Sequence, residues 1–126
     1  MKREEFDRLV SEAIKELPLY FRRYLKNVEI AVRDLPTDEI VERTRKSKGE
    51  VVSLLLGVFI GVPRPLKQPS FTSISFPDRI ELYQKNIESM AKTCEEIKAQ
   101  IQATIKHEIG HFFGLDEETI RKILSQ

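Results

Sequence analysis

The segment from Thr93 to Gly114 reads as one helix with both of its ends marked. Thr93-Cys94-Glu95-Glu96 is a capping box, in which a threonine hydroxyl and a glutamate carboxylate each satisfy a backbone N–H that a helix start leaves unpaired. Ile97, Ile101, Ile105 and Phe112 then recur at helical spacing. Gly114 is placed to end the run in the left-handed conformation. Near the far end stand the chain's only 2 histidines, in the run His107-Glu108-Ile109-Gly110-His111. Their spacing is a little over one turn, so both imidazoles leave the same side of the helix. Any fold of this chain must bury the isoleucine stripe and keep the histidine border open.

A projection at about 100° per residue, with Ile97 at zero, sharpens the picture. Ile101, Ile105 and Phe112 fall at roughly 40°, 80° and 60°, and form the buried stripe. Glu108 falls at about 20°, His111 at about −40° and His107 at about −80°. The histidines therefore lie on one border of the stripe, with Glu108 at its edge. H-E-x-x-H on a helix has a defined chemistry: two imidazoles hold zinc, and the glutamate acts as base on a water at the metal. The competing reading is that two histidines at a core boundary are ordinary polar residues. The metal reading is favoured because the motif uses every histidine in the chain, follows a capped helix start and ends at a glycine.

Catalytic zinc usually takes three protein ligands and keeps one position for water. The extended run HEIGHFFGLDE is H-E-x-x-H-x-x-G-x-x-E. It resembles the metzincin pattern, in which the chain turns at the glycine and brings back a third ligand. Glu117 stands at that register, and a carboxylate can ligate zinc as an imidazole does. Asp116 is the alternative third ligand. Either acid also has a structural use, Asp116 as N-cap of a last helix over 117–124 and Glu117 in its first turn. The methionines, Met1 and Met90, leave no Met-turn after the motif, so this is not an ordinary metzincin.

The rest of the chain reads as helices, strands, then helices. Phe6, Leu9, Val10, Ala13, Ile14 and Leu17 share one helical face. Pro18 ends that helix or opens a short second one carrying Tyr20, Phe21 and Tyr24. Val28, Ile30 and Val32 alternate with Glu29, Ala31 and Arg33 as in a half-buried strand. A short helix is expected around Asp38 to Arg43, and strands over Val51 to Ile60 and Asp78 to Gln84. The stretch from Gly61 to Pro77 carries Pro63, Pro65, Pro69 and Pro77 and reads as a long ordered loop. A short helix is expected over Ile87 to Lys92. This order predicts an α+β fold with a small antiparallel or mixed sheet, in a single domain over 1–126.

Composition excludes several classes. A net charge of +1 offers no uniform field for nucleic acid or an anionic membrane. The single Cys94 makes no internal disulfide and, with two histidines, no Cys-rich structural zinc site. It is read as a helix-start residue without catalytic role. The basic N-terminus lacks the apolar core of a signal peptide, and the apolar run Val51–Val62 is too short to span a bilayer. A cytoplasmic protein, monomeric or weakly oligomeric, is the expectation.

Three stretches together resemble a known family: HEIGHFFGLDEE at 107–118, LLLGVFIGVPRP at 54–65 and PDRIELYQKNIE at 77–88. They are similar to the minimal zincins, small prokaryotic zinc metallopeptidases. The resemblance implies a stripped-down metzincin-like core, with a small mixed sheet packed against an active-site helix and an N-terminal helix. It implies a Zn2+ cofactor and a peptide or protein substrate, with His107, His111 and Glu117 or Asp116 as metal ligands and Glu108 as general base. Family members commonly carry Asp where this chain has Glu117. By analogy, Tyr83 and Arg79 are candidates for stabilising the oxyanion. The alternative function is a zinc-binding interaction or regulatory domain without significant peptidase activity.

Overall fold

The computed structural model describes residues 1–48, 54–61, 78–114 and 121. It opens with helix α1, Arg3–Lys15, which buries Phe6, Leu9, Val10 and Ala13. Pro18 caps helix α2, Leu19–Arg22, and its carbonyl accepts the N–H groups of Phe21 and Arg22 at 3.0 and 3.1 Å. The fixed proline φ suits a helix start, so the break and the new turn share one cause. A 3-10 turn over Arg23–Leu25 follows, then strand β1, Val28–Arg33. Helix α3 is Asp38–Lys48 and strand β2 is Gly57–Ile60. Strand β3 is Asp78–Tyr83, helix α4 is Gln84–Met90 and helix α5 is Cys94–Phe112.

The sheet has the order β1-β3-β2. β1 pairs with β3 in parallel and β2 pairs with β3 antiparallel, so the expected small mixed sheet is present. β3 is central and is buried on both faces, whereas β2 lies on an edge. Strand alternation puts Ile80 and Leu82 on one face and Arg79, Glu81 and Tyr83 on the other. The first face carries the core: Ile80 and Leu82 join Phe6, Leu9, Ile97, Ile101, Ile105 and Ile109, from α1 and α5. The second face is approached by α3, whose Ile40 and Thr44 face Val58 and Ile60 across a cavity of about 200 Å3.

α1 and α5 are also tied at their rims. Gln102 Nε2 donates to the Ala13 carbonyl at 3.0 Å, and Lys98 Nζ lies 2.7 Å from Glu16 Oε2. Arg3 reaches from α1 to the end of β1 and the start of α4, donating to the Val32 carbonyl at 3.1 Å and to Gln84 Oε1 at 2.6 Å.

Several boundaries differ from the sequence reading. Of the expected strand over 51–60, Gly57–Ile60 is strand and Leu54–Leu56 has no regular structure, while residues 51–53 lie outside the described residues. β3 stops at Tyr83 because α4 begins there, so the ladder runs out: Tyr83 N donates to Leu56 O as its last rung. Gln84, read as strand, starts α4, and that helix ends at Met90 rather than Lys92. α3 runs on to Lys48 instead of stopping near Arg43. The expected loop over 62–77 and helix over 117–124 lie outside the described residues, except that Arg121 is helical.

Candidate metal centre

α5 begins as its capping box requires. Glu96 N donates to Thr93 Oγ1 at 3.1 Å, and Thr93 N donates to Glu96 Oε1 at 3.0 Å. These bonds, with that from Lys92 N, hold the Glu96 carboxyl below the usual glutamate range. At the other end, Gly114 sits at φ +72°, the left-handed region expected of a glycine terminator. A Cβ there would meet nothing within 4 Å, so backbone conformation rather than space calls for glycine.

Between these ends, Ile97, Ile101, Ile105 and Ile109 are buried, and the His107–His111 border is open to solvent. The buried stripe takes in Thr104, whose hydroxyl donates back to the Gln100 carbonyl at 2.8 Å and so needs no other partner. Phe112, expected in the stripe, is only half-buried. Its ring instead stacks on Phe59 of β2, with centroids 3.7 Å apart and planes 12° apart.

The two imidazoles converge. His107 Nε2 and His111 Nε2 are 2.9 Å apart, and the rings meet edge to face at 4.3 Å. Two nitrogens bound to one tetrahedral zinc at about 2.0–2.1 Å would stand roughly 3.3 Å apart. The pair is within a few tenths of an ångström of that spacing, so the donor set fits a metal ion. His111 lies in the last turn of α5, where the helix carbonyls favour a cation.

Glu108 points differently. Its Oε1 accepts the backbone N–H of Phe59 at 3.0 Å. Phe59 N–H faces away from β3, since alternate residues of the edge strand β2 make the ladder. The base candidate is therefore fastened to the side of β2 that pairs with no other described strand. This contact was not legible in the sequence, because it joins residues far apart in the chain.

Gly57 makes it possible. A Cβ at Gly57 would stand 2.8 Å from both the Glu81 carbonyl and Thr104 Cγ2. Without one, β2 packs close against α5, and two residues further on Phe59 reaches Glu108. Phe59 also meets Phe113 edge-on at 6.0 Å, and Tyr24 lies 4.6 Å from Phe113. This aromatic row joins the edge strand, the end of α5 and the turn before β1. The doublet Phe112-Phe113 after the second histidine was its one visible signal.

Two candidates leave the site. Tyr83 is fully buried, and its hydroxyl donates to Glu81 Oε1 at 3.0 Å. Burial, and next the bond to Glu81, push its phenol well above the usual tyrosine range. Arg79 Nε lies 3.3 Å from Glu81 Oε2 and Arg33 Nε 3.7 Å from it. Tyr83 and Arg79 thus serve a buried carboxylate on the sheet face away from α5 and are no oxyanion donors for this centre. Sequence alternation separated the two faces but did not say which one α5 covers.

Among the described residues, no group of three His, Cys, Asp or Glu side chains forms a metal cluster. Both third-ligand candidates, Glu117 and Asp116, lie outside the described residues. Among the described residues no helix is long and apolar enough to cross a membrane.

Comparison with known proteins bears on this geometry. Residues 25–125 match the model of a family described as zincin-like metallopeptidase. No functionally curated protein matches the chain. Among solved structures, a conserved hypothetical protein from T. thermophilus superposes with a TM-score of 0.52 at 22% identity, over 87% of this chain and 92% of that one. That likeness is one of fold.

Proposed function

The chain belongs to the zincin-like metallopeptidase family, and from that premise we propose that it hydrolyses peptide bonds at a zinc ion held by His107, His111 and Glu117, with Asp116 as the alternative third ligand. The observation that carries this reading is the convergence of the two Nε2 atoms at 2.9 Å on the helix that also carries Glu108. Bound zinc would lower the pKa of a water and polarise the scissile carbonyl.

The remaining steps belong to the chain. Glu108 takes the proton of the attacking water and passes it to the leaving amine. The Phe59 N–H occupies Oε1, which orients the carboxylate and leaves Oε2 for that proton. Among the described residues no strand pairs with the outer side of β2, which lies beside Glu108, and an extended peptide substrate suits such a side. A carboxylate third ligand leaves less positive charge at the metal than a third imidazole would, which weakens water activation.

The test pairs metal content with cleavage of a quenched fluorogenic peptide library. Wild type is expected to hold one equivalent of zinc and to cleave. His111→Ala is expected to lose the zinc. Glu108→Gln is expected to keep it while cleavage falls by about a hundredfold or more. Cleavage unchanged in Glu108→Gln would overturn the assigned base. A wild type that holds zinc and cleaves nothing would instead support a metal-binding interaction domain.

A further inference from the structure

A second concentration of chemistry lies on α2 and the 3-10 turn. Between Glu16 and Glu29 the chain carries Arg22, Arg23 and Lys26 and no acid, although its net charge is only +1. Elsewhere Arg3, Arg8, Arg33, Arg45 and Arg79 each face a carboxylate. Arg22, Arg23 and Lys26 have no acidic partner among the described residues. They line an open cavity of about 700 Å3 together with Ile14, Leu19 and Tyr20.

Arg23 is held in place rather than waving in solvent. Its guanidinium carbon lies 4.7 Å from the Tyr20 ring centre and 5.4 Å from that of Tyr24. A guanidinium held this way loses less freedom when it takes a second partner. An aromatic row leads from the shelf toward the centre. Tyr24 packs on Phe113 at 4.6 Å, and Phe113 meets Phe59, whose N–H holds Glu108, edge-on at 6.0 Å.

We propose that this basic, aromatic shelf is a recognition site for acidic side chains of the polypeptide that the metal centre acts on. Planar guanidinium groups match carboxylates, and the apolar lining, including Leu19 at 75% exposure, accepts the aliphatic parts of an extended chain. Single-stranded nucleic acid fits less well. Arg23 covers one face of each tyrosine ring and the rings meet each other edge-on at 5.7 Å, which leaves less open face than base stacking uses. The assignment rests on the peptidase reading only in making the acidic chain the substrate of the same protein.

The experiment measures binding rather than cleavage. A fluorescein-labelled extended peptide carrying a run of glutamates, and its glutamine counterpart, are titrated by anisotropy at low salt and at about 0.5 M NaCl, where the Debye length falls to about 4 Å. The glutamate peptide is expected to bind on the order of tenfold more tightly, and the preference to collapse in high salt and in the double variant Arg22→Gln/Arg23→Gln. Arg23→Lys is expected to restore only part of the loss. Circular dichroism and the zinc content of each variant confirm that it is folded. Equal binding of the two peptides overturns the shelf, as does a preference that survives the double variant. So does a dT oligonucleotide that binds more tightly than the glutamate peptide through the same arginines. The preference is expected to persist in Glu108→Gln, so an absence of cleavage leaves this result standing, and an absence of preference leaves the cleavage result standing.

Discussion

Gly57 and Glu108 show how much of the site hangs on single atoms. Gly57 admits the approach of β2 to α5 that brings Phe59 N–H within 3.0 Å of Glu108. Gly57→Ala puts a methyl against a backbone oxygen and a Thr104 methyl, neither of which can swing aside. The expected cost is about 1–3 kcal/mol, as for other overpacked positions. Because the strain falls between β2 and α5, cleavage should drop in Gly57→Ala even under conditions where urea unfolding shows the variant fully folded. Full activity in a folded Gly57→Ala protein would mean that the Phe59–Glu108 bond does not position the base. The two histidines were plain from their spacing, since four residues on a helix set their relation whatever the fold. The Phe59 contact was not, because it depends on where an edge strand lands.

α5 is the element whose sequence and structure agree most closely. Its capping box, isoleucine stripe and terminal glycine are local signals, and each acts within about one turn. Thr93→Ala should destabilise the protein by about 1 kcal/mol, read from the urea midpoint at neutral pH. Glu96 adds a pH dependence with a definite sign. Its folded pKa is lowered by the N–H groups of Thr93 and Lys92, so its contribution is present above the ordinary glutamate pKa and is lost as pH falls through the folded value. A Glu96→Ala variant should therefore be less stable than wild type at neutral pH and converge on it as pH falls through the lowered folded pKa of Glu96. A gap that stays constant through that range would show that the carboxylate bonds contribute nothing. β2 is the opposite case. Leu54–Leu56 has the composition of a strand, yet beyond Gly57 the ladder makes one last bond, at Leu56 O, because β3 gives way to α4. Strand composition describes a surface that packs well, while the length of a ladder depends on the partner.

At the scale of the whole molecule, the proposed metal would tie the last turn of α5 to the residues that follow it in the chain. Its proposed ligands sit at the C-terminal end of α5 and beyond Gly114, so zinc bound there joins α5 to the segment after it. A ligand that binds only the folded chain stabilises it by about 2.7 kcal/mol at a free concentration about one hundred times its Kd. Thermal unfolding of wild type should therefore move to higher temperature with added zinc and return with a chelator, while His111→Ala should show no such shift. An unchanged wild-type transition would contradict a folded-state zinc site. Near-neighbour chemistry in the sequence determined the α+β class, the helix that carries H-E-x-x-H, its caps and the side from which His107 and His111 emerge. Those features follow from helix periodicity and from hydrogen bonds within a turn, which act before any long-range contact forms. Only the tertiary structure decided that Glu108 is tied to the side of β2 away from β3, that Phe112 stacks on Phe59 rather than entering the core, and that Tyr83 and Arg79 attend Glu81 on the far face. These depend on sheet order and on which face α5 covers, and neither is set by residues adjacent in the chain.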